Sequence, residues 1–210
     1  MPDVIGSSCT VSHHSETRAG SQLEHRLLYN ACERKLEMTA SNTQLAALFL
    51  EFSRKKLFDQ YWPRMRSCVA SLTDEQIWCR PNDACNSVGN LLLHLNGNVT
   101  QWMIGSFNRL EDNRNRPAEF NQPDQIAGNV LLDRLGATME EAAGVLARLA
   151  PEDLSATFHI QGYTVSGLDA VYQVVEHFGM HYGQILYIHK MLRGDDLGFH
   201  RELNVTGRAS

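Results

Sequence analysis

Apolar residues three and four positions apart recur in four separate stretches of this chain, and that period leaves little choice of fold. From Asn42 onward, Leu45, Leu48, Phe49, Phe52, Leu57, Tyr61, Met65, Val69 and Leu72 repeat at helical spacing. Pro63 lies inside the run and predicts a kink or split near Tyr61 and Trp62, because proline lacks the N–H and crowds the preceding turn. Thr73 and Gln76 read as a capping box for a short turn, which "RPNDACN" ends. A second helix starts near Asn86 or Ser87 and turns Val88, Leu91, Leu92, Leu95, Val99, Trp102, Met103 and Phe107 inward.

The second helix runs into "NRLEDNRNRPAEFNQPD", which has no period and reads as a polar loop. The third spans about 124 to 149, with Ile126, Val130, Leu131, Leu135, Met139, Ala142, Leu146 and Leu149 as its stripe. "APEDL" stops it, and "ATFHIQGYTV" reads as an extended connector, not a sheet. Ser166 with Asp169 caps a fourth helix, which continues to about Arg193 and Gly194. Four long amphipathic helices predict an all-α four-helix bundle over residues 41–200. Residues 1–40 are small and polar at first and read as a disordered or loosely packed extension, carrying His13 and His14 on a mobile tail. Residues 201–210 are expected to form a C-terminal tail.

Composition removes several function classes. A net charge of -5 gives no basic footprint for nucleic acid. No apolar run is long enough to span a membrane, and no secretory signal stands at the N-terminus. Cys9, Cys32, Cys68, Cys79 and Cys85 are odd in number and lack Cys-x-x-Cys spacing, which speaks against a disulfide framework or a zinc ribbon. A reducing cytoplasm is the expected setting.

Histidine carries the chemistry. His177 and His181 are four apart, so on a helix they point about 40° apart and sit about 6 Å along one face. Val174, Phe178, Ile185 and Ile188 share that face, so both rings aim at the core. They read either as a hydrogen-bonded core pair or as part of a metal site. His94 lies between Leu93 and Leu95 in the most apolar part of the second helix, where an unpartnered imidazole is costly. Imidazoles from two facing helices suit one divalent cation and leave a coordination position open.

Other bundle sites do not fit. Carboxylate-bridged di-iron bundles use Glu-x-x-His pairs, and this chain has none. Phe178 follows His177 where a His-Glu-x-x-His protease motif needs glutamate. His189 is about 80° from His181 around the helix and beside Lys190, so it is expected at the surface. His159 in the connector and His200 in the tail are not expected to ligate. Asn98 and Gln184, each within a turn of a candidate ligand, read as supporting or substrate contacts, or as plain helix–helix hydrogen bonds.

The segments "LTDEQIWCRPNDACNSVGNLLLHLNGNVTQW", "RNRPAEF" and "VVEHFGMHYGQILYIHKMLRGDDLGF" make the chain resemble the DinB/YfiT-like superfamily of four-helix-bundle metalloenzymes, in a bacterial branch of unknown function. The resemblance runs from about residue 42 to 200. It implies that a histidine on the second helix and a His-x-x-x-His pair on the fourth, here His94, His177 and His181, hold one divalent cation, zinc, nickel or similar. Characterised members include bacillithiol-dependent S-transferases and a mycothiol-dependent isomerase, so a low-molecular-weight thiol and a small electrophile are the implied partners. Hydrolysis by an activated water is the enzymatic alternative. A non-catalytic bundle, binding metal or forming a homodimer through residues such as Trp62 and Trp102, is the other.

Overall fold

The computed structural model describes residues 41–122 and 125–199. The chain divides into two compact units, Met1–Leu45 and Ala46–Ser210. Of the first, residues 41–45 are described and are helical; the expectations for residues 1–40, with Cys9, Cys32, His13 and His14, and for His200 and the tail lie outside the described residues.

In the second unit, helix α1 covers 46–70. The turn before Pro63, Lys55–Tyr61, widens to π geometry, and Trp62 N–H reaches back five residues to the Leu57 carbonyl. The hydrogen-bond ladder therefore shifts at the proline and the helix goes on, because a wider turn absorbs the missing donor and the ring's bulk. Leu57, Met65, Cys68 and Val69 enter the core, whereas Leu48 and Phe52 stay exposed. The capping box of Thr73 and Gln76 opens α2, Asp74–Trp78.

Ser87 and Asn90 cap each other's backbone at the start of α3, which covers 88–108 with π geometry at Thr100–Gly105. Helix α4, Arg116–Phe120, is capped by the Asn115 side chain. Its presence corrects the expectation of a loop throughout this region: a five-residue helix is too short to show a period, and Asn115 followed by Pro117 is the local start signal. Helix α5 is Gly128–Arg148. It begins later than expected because the preceding strand of chain is pinned to α2: Gly128 N–H donates to Asp74 Oδ1 (2.8 Å) and Trp78 Nε1 to the Ile126 carbonyl (2.9 Å). Val130 is exposed, unlike the rest of the predicted stripe.

After α6, Pro151–Ser155, the expected connector is a two-stranded antiparallel sheet, β1 Thr157–Ile160 against β2 Tyr163–Ser166. Gln161 and Gly162 both take positive φ (52° and 81°), the backbone a two-residue hairpin turn needs. Trp102, buried in the core, steadies that turn by donating Nε1–H to Gln161 Oε1 (3.2 Å). Helix α7, Gly167–Arg193, is capped by Ser166 and Asp169 and ends on Gly194 with φ 72°. Helices α1, α3, α5 and α7 surround one core that includes Leu57, Leu95, Leu135, Met139, Val174 and Phe178. No helix among the described residues is long and apolar enough to cross a membrane.

Candidate metal centre

Helix period sets both halves of the site. On α3, His94 shares the inward face of Leu91 and Leu95 and is 5% exposed. On α7, four-residue spacing stacks His177 and His181 one turn apart; His181 is buried and His177 half-buried. The rings meet with centroids 4.9 Å (His94–His177), 5.1 Å (His94–His181) and 4.4 Å (His177–His181) apart. His177 Nε2 is 3.1 Å from both His94 Nε2 and His181 Nε2. One nitrogen from each ring falls within 4.8 Å of the others.

The hydrogen bonds behind the rings fix where the protons lie. Glu119 Oε2 is 2.7 Å from His94 Nδ1. A carboxylate only accepts, so Nδ1 carries the hydrogen, and in the neutral ring Nε2 keeps a lone pair. Gln184 Oε1, 2.7 Å from His181 Nδ1, orients His181 in the same way. His177 Nδ1 is buried with no partner among the described residues. A hydrogen on His177 Nδ1 would leave three lone pairs facing one another. A hydrogen on His177 Nε2 could serve the other two nitrogens only as a divided bond, and the Nδ1 acceptor would still be orphaned.

A cation at the meeting point resolves this. Two nitrogens, each about 2.0–2.1 Å from one metal and about 90–109° apart, stand about 2.8–3.4 Å from each other. The 3.1 Å separations fall in that range. Burial first, then the neighbouring His181 and His94 and the charges of Arg114 and Arg116, hold His177 down at about 3. Burial is also the main cause that lowers His181, against a bond from Gln184 that raises it. Both are therefore neutral near pH 7, as metal binding requires.

Glu119 and Arg114 are functional residues that sequence reasoning missed. Glu119 is 8% exposed, on α4. Its second oxygen accepts from Arg114 Nε (2.7 Å), and Arg114 Nη2 is 2.9 Å from Oε2. Arg114 also donates through Nη1 to Gln101 Oε1 (2.9 Å) and through Nη2 to the His94 carbonyl (3.3 Å). Burial pushes the Glu119 carboxyl up, but the bonds from His94 and Arg114 outweigh it and hold the group below its ordinary value. This carboxylate-to-histidine contact is the kind of outer support that sets the tautomer and basicity of a metal ligand. Gly97, one turn on from His94, makes room for it, since a Cβ there would run into Glu119 Oε1.

The remaining sequence candidates divide. Asn98 is 3% exposed, one turn beyond His94, and its Oδ1 has no partner among the described residues. His189 is not at the surface as expected: it is 1% exposed, with Nε2 2.9 Å from Ser71 Oγ. It follows Ile185 by one turn on the buried face, and the C-terminal end of α1 supplies a hydroxyl there. His159 is exposed on β1 and pairs with Thr164. Cys68 is buried, and that burial pushes its thiol up to about 11.

A cavity of about 690 Å³ lies near the site without containing the histidines; Gly97, Gln101, Arg114, Glu119, Ile126 and Phe158 are among its walls. Arg114 and Glu119 are common to both. The histidine cluster is the better candidate for chemistry because its donor atoms converge and one, His177 Nδ1, is buried without a partner among the described residues.

Two crystal structures share the fold. A DinB-like protein from Bacillus cereus superposes with a TM-score of 0.54 at 14% identity, covering 69% of this chain and 90% of that one. A conserved protein from Enterococcus faecalis gives a TM-score of 0.55 at 19% identity, covering 73% and 98%. No curated protein matches the sequence. The fold is thus DinB-like, with three histidines grouped where a metal could sit, and by the match over residues 44–203 the chain belongs to the family described as protein of unknown function DUF1572.

Proposed function

We propose that this protein is a mononuclear divalent-metal enzyme that joins the sulfur of a low-molecular-weight thiol to a small electrophile. The observation that supports the reading is the meeting of three imidazole Nε2 atoms with no carboxylate among them and with His177 Nδ1 left unsatisfied. Bound there, a divalent cation such as zinc or nickel supplies the acidity that keeps a thiol deprotonated near neutral pH, and neutral ligands leave that acidity undiminished. His94, His177 and His181 are the residues that would hold it. Glu119 fixes the His94 ring and Gln184 the His181 ring, so neither ligand has to find its tautomer on binding. We assign to Asn98, one turn beyond His94 and with a buried oxygen that has no partner among the described residues, the role of accepting a hydrogen bond from the bound molecule. In the reaction the thiolate forms a carbon–sulfur bond as the electrophile's leaving group departs with its electron pair.

Cobalt substitution tests this, because thiolate ligation adds a charge-transfer band in the near ultraviolet. Titration of the cobalt protein with bacillithiol, coenzyme A, glutathione and cysteine should raise that band for at least one of them. His181→Ala should abolish it. A cobalt protein that none of the four perturbs at millimolar concentration rules the transferase reading out and leaves metal-assisted hydrolysis or a structural metal.

A further inference from the structure

One charged residue beside the metal centre has no work in the arrangement so far. Arg116 is exposed at the start of α4 and makes no ion pair among the described residues. Its guanidinium carbon lies 5.1 Å from the centroid of the Phe120 ring, and that ring is 4.9 Å from the His94 ring. Two rings in contact thus connect Arg116 to the candidate ligand.

The charge balance around the histidines is one-sided. Arg114 and Glu119 neutralise each other through two short bonds, both side chains being less than one-tenth exposed. Glu176, next to His177 in sequence, is turned about 100° away around α7 and is exposed. Asp112, exposed, is bonded to Gln101; in contact with the rings, through Phe120, what remains is Arg116, together with the two charges of any divalent cation held by the histidines. A site of that sign, partly shielded from water, favours an anion.

Resting on the metal reading, we infer that the molecule taken up at the centre carries a carboxylate or comparable oxyanion beyond its metal-binding atom, and that Arg116 receives it. A guanidinium presents two parallel N–H donors to a carboxylate, which a lysine in its place does not. Resting on Phe120 holds this fork near the centre before the ligand arrives, and an exposed ring contact is weak enough to be given up for an ion pair. Arg116 therefore sets which ligands bind, without touching the reacting atoms.

The test uses two hydroxamates on the cobalt-loaded protein, so that it does not depend on thiol chemistry. Acetohydroxamate has a methyl tail, and succinomonohydroxamate has the same metal-binding group with a carboxylate on a two-carbon arm. Cobalt content and the visible spectrum are recorded for the wild type, Arg116→Gln and Arg116→Lys. The expected result is roughly tenfold tighter binding of the carboxylate-bearing probe by the wild type, a preference lost in Arg116→Gln and partly kept in Arg116→Lys, with cobalt content unchanged in all three. Failure of the wild type to load cobalt overturns the metal reading and this inference with it. Loaded cobalt with no preference for the carboxylate, or a preference that survives Arg116→Gln, overturns this inference alone.

Discussion

Replacing Glu119 by glutamine removes one charge and almost no volume, yet it should disable the metal centre. The carboxylate accepts from His94 Nδ1 at 2.7 Å and from Arg114 Nε and Nη2 at 2.7 and 2.9 Å. Glutamine has one carbonyl oxygen and one NH2 group for those two partners. Arg114 only donates and reaches both oxygens, so in either orientation the NH2 meets a guanidinium N–H, and in the place of Oε2 it faces His94 as well. In that second case His94 Nδ1 has to accept, which moves its hydrogen to Nε2, the atom that faces His177 and His181; in the first, the NH2 is driven off Arg114 Nε and a neutral oxygen holds His94 in place of a carboxylate. Loss of outer-shell support of this kind typically costs about 10–100-fold in metal affinity, or about 1.4–2.7 kcal/mol. Glu119→Ala goes further: it leaves the Arg114 charge, with its side chain 6% exposed, without a counter-ion, at a cost on the order of 3–5 kcal/mol of folding stability. Zinc competition against a chromogenic chelator, run beside thermal unfolding in excess chelator, separates the two effects. Glu119→Gln with zinc affinity within twofold of the wild type would refute the account of how His94 is held.

Gly97→Ala should lower metal retention without touching a ligand, because its methyl displaces the Glu119 carboxylate; Gly144→Ala, on open helix surface, should instead stabilise the protein by about 0.5–1 kcal/mol. The same pair of assays checks both. The metal-free protein should lose stability in acid. His177 is held at about 3 in the folded state against an ordinary 6.5, so below that value the unfolded chain takes up the proton first. Stability from this group is fully present above about pH 6.5 and is lost as pH falls towards 3, and thermal midpoints in chelator from pH 7.5 to 4 should show a shallower fall for His177→Leu.

His94, His177 and His181 could be read in the sequence because each sits in a long helix whose period fixes its face. Thr73 with Gln76 and Ser166 with Asp169 likewise marked two helix starts that the structure keeps, and the start read near Asn86 or Ser87 falls at Ser87. Glu119 and Arg114 could not be read so, since α4 has five residues and no turn-to-turn repeat to say which side chain enters the core. Their inward direction comes from α4 packing on α3, where Asn90 Nδ2 donates to the Glu119 carbonyl (3.0 Å). His189 misled because a charged neighbour, Lys190, suggested a surface face, while burial of the histidine depends on a hydroxyl from Ser71, 118 residues away. The β1–β2 hairpin escaped for a related reason: four-residue strands give an alternating pattern too short to distinguish from an extended connector.

The central claim is that three histidines of this fold hold a metal, and elemental analysis of protein purified without added metal or chelator tests it most directly. The wild type and His189→Ala should each contain about one divalent ion per chain, while His94→Ala, His177→Ala and His181→Ala should each fall to a small fraction of that. A wild type that neither carries nor takes up a stoichiometric divalent ion would contradict the claim, as would full occupancy in the variant with all three histidines replaced.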